Sequence, residues 1–159
     1  MQRHQLGSIM EDEFTLIAIH SNIEDYKLAF LINKHLNIQL KRKENDLDFF
    51  KKEGHITFSV FEFENSNSED VLYLISNTCK TITEKITSAG SLFESSSEEI
   101  VHYLIPEFKK TEFILKIIAD ESEKYQKNLI TQLNNIPYII TAYKIDLVNL
   151  KSINNLNFD

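Results

Sequence analysis

Between residues 13 and 20 the chain reads EFTLIAIH, with Phe14, Leu16 and Ala18 on one face and Ile17 and Ile19 on the other. That period of two predicts a strand, and apolar side chains on both faces mark one covered on both sides. From Ile23 the spacing changes. Ile23, Tyr26, Phe30 and Leu31 recur at helical intervals, with Asn22 placed as an N-cap and Asn37 as a stop, so 23–37 is predicted helical. Ile38 and Leu40 alternate with polar residues, which predicts a short strand. A mixed-charge stretch then runs to Gly54, a turn signal. Residues 55–64, HITFSVFEFE, are the clearest strand: Ile56, Phe58 and Val60 share a face, and then Phe61 and Phe63 become the apolar set. A one-residue slip in a period of two predicts a bulge or sharp bend near Val60–Phe61.

Residues 64–70 are turn-forming, 71–76 (VLYLIS) a continuously apolar strand, and 79–88 a Thr-rich strand. Residues 89–99 read as a loop, 100–105 as a strand stopped by Pro106, and 111–119 as a strand apolar on both faces. Asp120 and Glu123 have capping-box spacing, and Tyr125, Leu129, Leu133 and Ile136 form one helical stripe ended by Pro137. Residues 138–147 are the last strand.

The order β-α-β-β-β-β-β-α-β lacks the alternation of a doubly wound sheet. It predicts an α+β fold: a mostly antiparallel sheet with two helices on one face, a ferredoxin-like split βαβ with an enlarged middle. One domain is expected over 13–147, with polar tails at 1–12 and 148–159. Two helices cover one sheet face. The other face of strands 13–20, 111–119 and 138–147 must be covered by the curled meander or by another chain. This points to a dimer or partner surface.

Composition narrows the function classes. With 159 residues, 42% of them hydrophobic, the chain can bury one real core. A net charge of -7 argues against binding a phosphate backbone. The 15 Lys outnumber 2 Arg, which leaves few bidentate forks for carboxylate or phosphate. A single Cys excludes a disulfide framework and a Cys-based zinc cage. No apolar run approaches the ~20 residues that cross a bilayer, and residues 1–14 carry no apolar leader segment, so a cytoplasmic protein with no membrane partner is expected.

Candidate chemistry is sparse. His4, His20, His35, His55 and His102 form no close pair with metal-ligand spacing. His20, at the carboxyl end of a strand, is the most interesting; with Tyr26 or Glu107 it outlines a pocket between the helix layer and strand 55–64. His102 reads as a sheet residue. Cys79 can act as a nucleophile if His20 or His102 approaches it, against the plainer reading of a buried small hydrophobe. Glu62 and Glu64, on one strand face, can hold a hard cation or simply solvate an edge. Lys41-Arg42-Lys43, Lys51-Lys52 and Lys109-Lys110, near Phe49, Phe50 and Phe108, suggest single-strand stacking, but Glu44, Asp46, Asp48 and Glu53 cancel the field of the first two. With Gly7, Gly54 and Gly90 as the sole glycines, phosphate-cradling loops are excluded. No catalytic constellation, cofactor motif or metal set emerges.

The segment YLIPEFKKTEFILKI, Tyr103 to Ile117, carries Ile105-Pro106-Glu107 followed by the acidic–aromatic pair Glu112-Phe113. It resembles the signature of the IPExxxDY family, and Thr15–Arg42 resembles that family's N-terminal half. The likeness would span most of 13–147. It implies a small cytoplasmic bacterial protein, typical of Bacteroidota, with no established activity. The pair here is Glu-Phe rather than Asp-Tyr, and four residues rather than three separate it from Glu107. Phe113 has no hydroxyl for chemistry, so the pair reads as packing. Pro106 breaks the strand and leaves Ile105, Pro106, Glu107, Lys109, Lys110 and Glu112 as a candidate interaction loop. The expectation is a non-enzymatic protein-interaction domain, adaptor or homo-oligomer. The alternatives are a small-molecule-binding or minor enzymatic domain and, behind it, an RNA-associated accessory protein.

Overall fold

A computed structural model of the chain describes residues 14–86, 95–119, 123–148 and 150–157. The expected tail at 1–12, most of the expected loop at 89–99 and the Asp120 capping box lie outside these residues. The elements are β1 (Phe14–Ser21), α1 (Asp25–Leu36), β2 (Lys41–Arg42), β3 (Leu47–Lys51), β4 (Gly54–Phe58) and β5 (Val60–Glu64). They continue as β6 (Val71–Ser76), β7 (Thr78–Ile86), β8 (Ser95–Tyr103), β9 (Phe113–Ile118), α2 (Glu123–Asn134) and β10 (Ile139–Lys144). The fold is α+β, as expected.

Six strands form one antiparallel sheet in the order β10-β1-β9-β6-β5-β2. Strands β9 and β10 run parallel to each other with β1 between them, and α2 connects them; this is a split βαβ unit. The four strands β10-β1-β9-β6 have the order and directions of a ferredoxin-like sheet. The enlarged middle is the extra pair β5-β2 and two separate hairpins, β3-β4 and β7-β8.

Both helices pack on one sheet face. Leu28, Ala29 and Ile32 of α1 and Leu129 and Leu133 of α2 meet Ile17, Ile19, Leu72, Leu74, Leu115 and Ile117. Helix α1 ends at Asn37, whose φ of 54 is the left-handed stop that Asn tolerates. At its start Glu24, not Asn22, holds the cap position, without a side-chain cap bond.

The opposite face is covered by the chain itself, in part by the meander as one of the two expected covers and in part by the C-terminal segment, so this face is not the partner surface that the sequence pointed to. Ile56 and Phe58 of β4, Leu104 and Ile105, and Leu150 and Leu156 close over Leu16, Ala18, Ile75 and Ile114. The segment expected as a polar tail is therefore structural. Leu147, Leu150, Ile153 and Leu156 recur every third residue, the period of a 3-10 turn, and Ile153–Leu156 forms one. The Lys116 ammonium, buried in β9, donates to the Leu156 carbonyl at 2.8 Å, and the Asn155 amide donates to the Leu104 carbonyl at 2.8 Å.

Two sequence boundaries move for identifiable reasons. The expected bulge near Val60–Phe61 is a complete break at Ser59. The Ser59 carbonyl accepts the Ser76 N–H at 3.0 Å, so β5 joins the main sheet while β4 departs to pair with β3. Residues 38–40 form no strand, because the Asn33 side-chain amide takes both backbone groups of Leu40, at 2.7 and 3.1 Å. Gly54 turns the β3-β4 hairpin with a φ of 121, a value that favours glycine.

Candidate functional site

The end of the sheet where β1 finishes and β9 and β10 begin gathers a histidine, a carboxylate and a phenol. The β1/β10 register shifts between His20 and Ser21, and such irregularities re-aim side chains. His20 is half-buried there. Its Nδ1 faces the Glu112 carboxylate at 3.6 Å, and its Nε2 faces the Tyr143 hydroxyl at 3.4 Å. The His20 and Tyr143 rings stack with centroids 5.7 Å apart. The Ser21 N–H donates to Glu112 at 3.0 Å and fixes the carboxylate. The Ser21 hydroxyl donates to the Tyr138 carbonyl at 2.8 Å, and Tyr138 itself has a φ of 72, a strained value for a bulky residue.

A second device anchors this corner. Asn77, fully buried between β6 and β7, donates its side-chain amide to the Phe108 carbonyl at 3.0 Å and to the Thr111 carbonyl at 2.8 Å. Its Oδ1 accepts the Ile105 N–H at 2.8 Å. Its backbone N–H donates to the Glu112 carbonyl at 2.8 Å, and its carbonyl accepts the Leu104 N–H at 2.9 Å. One residue thus pins 104–112 and presents Glu112 to His20. The sequence signal was a lone Asn between two apolar strand segments.

The candidate interaction loop is therefore a clamped corner with divided roles. Ile105 is buried in the second core, so it has no surface for a partner. Pro106 opens a 3-10 turn, Pro106–Phe108. Glu107 accepts the Ser152 N–H and hydroxyl at 3.0 and 3.1 Å. Slight burial raises its carboxyl, but hydrogen bonds from its own backbone and from Ser152 and Lys151 outweigh that and hold it below the usual carboxylate range. Pro106, Lys109 and Lys110 are exposed, and Glu112 belongs to the His20 cluster.

The expected pocket of His20 with Tyr26 does not form. Tyr26 lies on the outer face of α1 beside Lys27, whose ammonium is 5.7 Å from its ring, and β4 lies in the layer opposite the helices. Cys79 and His102 do face each other across the β7-β8 ladder, but His102 Nε2 engages the Thr81 hydroxyl at 2.9 Å.

Comparison with protein-family models, with curated proteins and with solved structures finds no match.

Several of the remaining charged candidates are paired. Glu62 binds the Lys43 ammonium at 3.0 Å and lies against Tyr73, whose phenol burial and the Glu62 charge push up to about 12. Arg42 pairs with Asp46, and His55 with Asp48 at 3.1 Å. An open cleft of about 340 Å³ lies where residues 39–40 peel away from β5, with Gln39, Lys41, Phe63 and Glu64 on its walls. Its mixed charge does not select an anion. Among the described residues no three His, Cys, Asp or Glu side chains are placed to share a metal ion, and no helix is long and apolar enough to cross a membrane.

Proposed function

We propose that this domain is a non-enzymatic cytoplasmic protein-interaction module that associates with a second copy of itself through the outer edge of β10. The observation that carries the reading is the clustering of exposed apolar side chains there. Of ten large hydrophobic residues exposed among the described residues, Tyr138, Ile140, Tyr143 and Val148 fall within eleven consecutive positions. Exposed apolar side chains gathered on one segment are the raw material of an interaction site. The Ser21–Tyr138 bond holds the first of them in a strained, pre-organised conformation.

The contact is through side chains rather than an added strand. The Asn134 amide binds the carbonyl and N–H of Ala142, both at 2.9 Å, and so occupies the middle of the open ladder edge. A two-fold contact needs a self-complementary patch, and one made of uncharged aromatic and aliphatic groups meets that condition. Each copy carries a net charge of -7, so self-association strengthens as salt screens the repulsion, whereas binding to a basic partner would weaken. Sedimentation velocity over a range of concentration and salt tests this. The expected result is a dimer favoured by salt and lost in Ile140→Lys. A monomer at every condition would overturn it.

A second reading, a minor enzymatic domain, is supported by the Glu112–His20–Tyr143 arrangement. Kinship with the IPExxxDY family rests on the residues of 103–117 and 15–42, and a family profile built from that family's own sequences, run against this chain, is its test.

A further inference from the structure

The geometry assigns Glu112, His20 and Tyr143 as a general-base-assisted nucleophile site, in which the Tyr143 phenol accepts an acyl group from an activated ester. This rests on the second, enzymatic reading; because Tyr143 and Tyr138 also lie in the surface proposed for self-association, the rates are read below the concentration at which the chain associates, where failure of one reading leaves the other standing.

The imidazole lies between its two partners. A bound metal would need donors converging on one point, but Glu112 faces Nδ1 and Tyr143 faces Nε2, on opposite sides of the ring. Opposed partners suit a relay instead. The carboxylate, itself held by the Ser21 N–H, keeps the ring hydrogen on Nδ1, which leaves the Nε2 lone pair toward the phenol. Separations of 3.6 and 3.4 Å are those of an unloaded relay, which closes up in the reacting complex. His20 and Tyr143 come from the neighbouring strands β1 and β10, and Glu112, the residue before β9, is anchored by its carbonyl to the Asn77 N–H. Tyr143 is partly open to solvent, so a donor can reach its oxygen.

The step balances within these groups. The phenolic oxygen bonds to the ester carbonyl carbon while its proton passes to His20 Nε2. The ester's bond to its leaving oxygen then breaks, and that oxygen takes the proton from Nε2. The products are an acylated Tyr143 and the free alcohol or phenol. Water, deprotonated by the same Nε2, cleaves the acyl-tyrosine, releases the acid and restores the site.

Exposure and activation make opposite predictions for the tyrosines, and this allows a clean test. Tyr138 is 69% exposed, Tyr26 57% and Tyr143 39%. The full chain is treated with p-nitrophenyl acetate, and acetylation at each tyrosine is followed by peptide mass spectrometry. General-base assistance contributes typically ~10²–10⁴-fold, so Tyr143 should acetylate at least about tenfold faster than Tyr138 or Tyr26. His20→Ala should bring Tyr143 down to or below their rates. Glu112→Gln, which still accepts the Ser21 N–H, should slow Tyr143 several-fold. In both variants unchanged rates at Tyr26 and Tyr138, with an unchanged circular dichroism spectrum, show that the fold is intact. Acetylation in the order of exposure, or a Tyr143 rate that survives His20→Ala, overturns the assignment.

Discussion

Replacing Asn77 should be among the most damaging single changes in this chain. Asn77→Ala removes three hydrogen bonds and leaves the Ile105 N–H and the Phe108 and Thr111 carbonyls without them. Two of the three are fully buried and the Phe108 bond is part-buried, so water can replace little of what is lost. At about 1–1.5 kcal/mol for each bond to a buried group, with a small cavity added, the cost is about 3–5 kcal/mol. For a domain of 159 residues that lowers Tm by roughly 6–20 °C. Asn77→Asp separates hydrogen bonding from shape. It keeps the acceptor for Ile105 but turns an oxygen toward the Phe108 and Thr111 carbonyls. The buried carboxyl then ionises less readily folded than unfolded, with a folded pKa above the ordinary ~3.9. Its stability contribution is present below that unfolded value and is lost as pH rises through the folded one. Urea denaturation of both variants at acid and neutral pH, against Asn65→Ala in an exposed turn, measures this. A cost below about 1 kcal/mol for Asn77→Ala, a surface-like value, or an Asn77→Asp variant as stable as the wild type at neutral pH would refute this role for Asn77.

The Thr111 hydroxyl is buried without a hydrogen-bond partner among the described residues, so Thr111→Val should be neutral or stabilise by up to about 1 kcal/mol in the same denaturation assay. Leu156→Ala, at a fully buried position of the C-terminal segment, should cost about 2–5 kcal/mol; a loose tail would give no change. In an alkaline absorbance titration one tyrosine of the six should ionise last, near 12, and vanish from the curve in Tyr73→Phe. Because the fold raises the Tyr73 pKa from 10.0, its stabilising contribution is intact below that pH and falls away toward 12.

The main sheet was readable because its strands carry their own signal. Phe14–Ser21, Val71–Ser76 and Phe113–Ile118 are dense in β-branched and apolar residues. What escaped was placed by polar side chains acting at a distance. Asn33 diverts Leu40 from the sheet, and Ser59 hands the chain from one sheet to another. Ser95–Tyr103, read in part as a loop because of its serines and glutamates, is a strand because β7 supplies a complete ladder partner. The C-terminal segment reads as a polar tail, although its Leu and Ile recur at the 3-10 period. His20 and Glu112 were each singled out, but for different surfaces. Their meeting depends on the β1/β9 pairing and on Asn77, neither of which has a local signature.

The second sheet face is closed in part by the chain's own C-terminal segment, and residues 138–148 are proposed to carry the association surface. Hydrogen–deuterium exchange at two protein concentrations, one below and one above the onset of association, addresses both. Amides of Leu16, Ala18 and Ile114 should exchange slowly at both concentrations, while residues 138–148 should gain protection at the higher one. Protection of the second face that appears with concentration, or none gained along 138–148, would contradict the account.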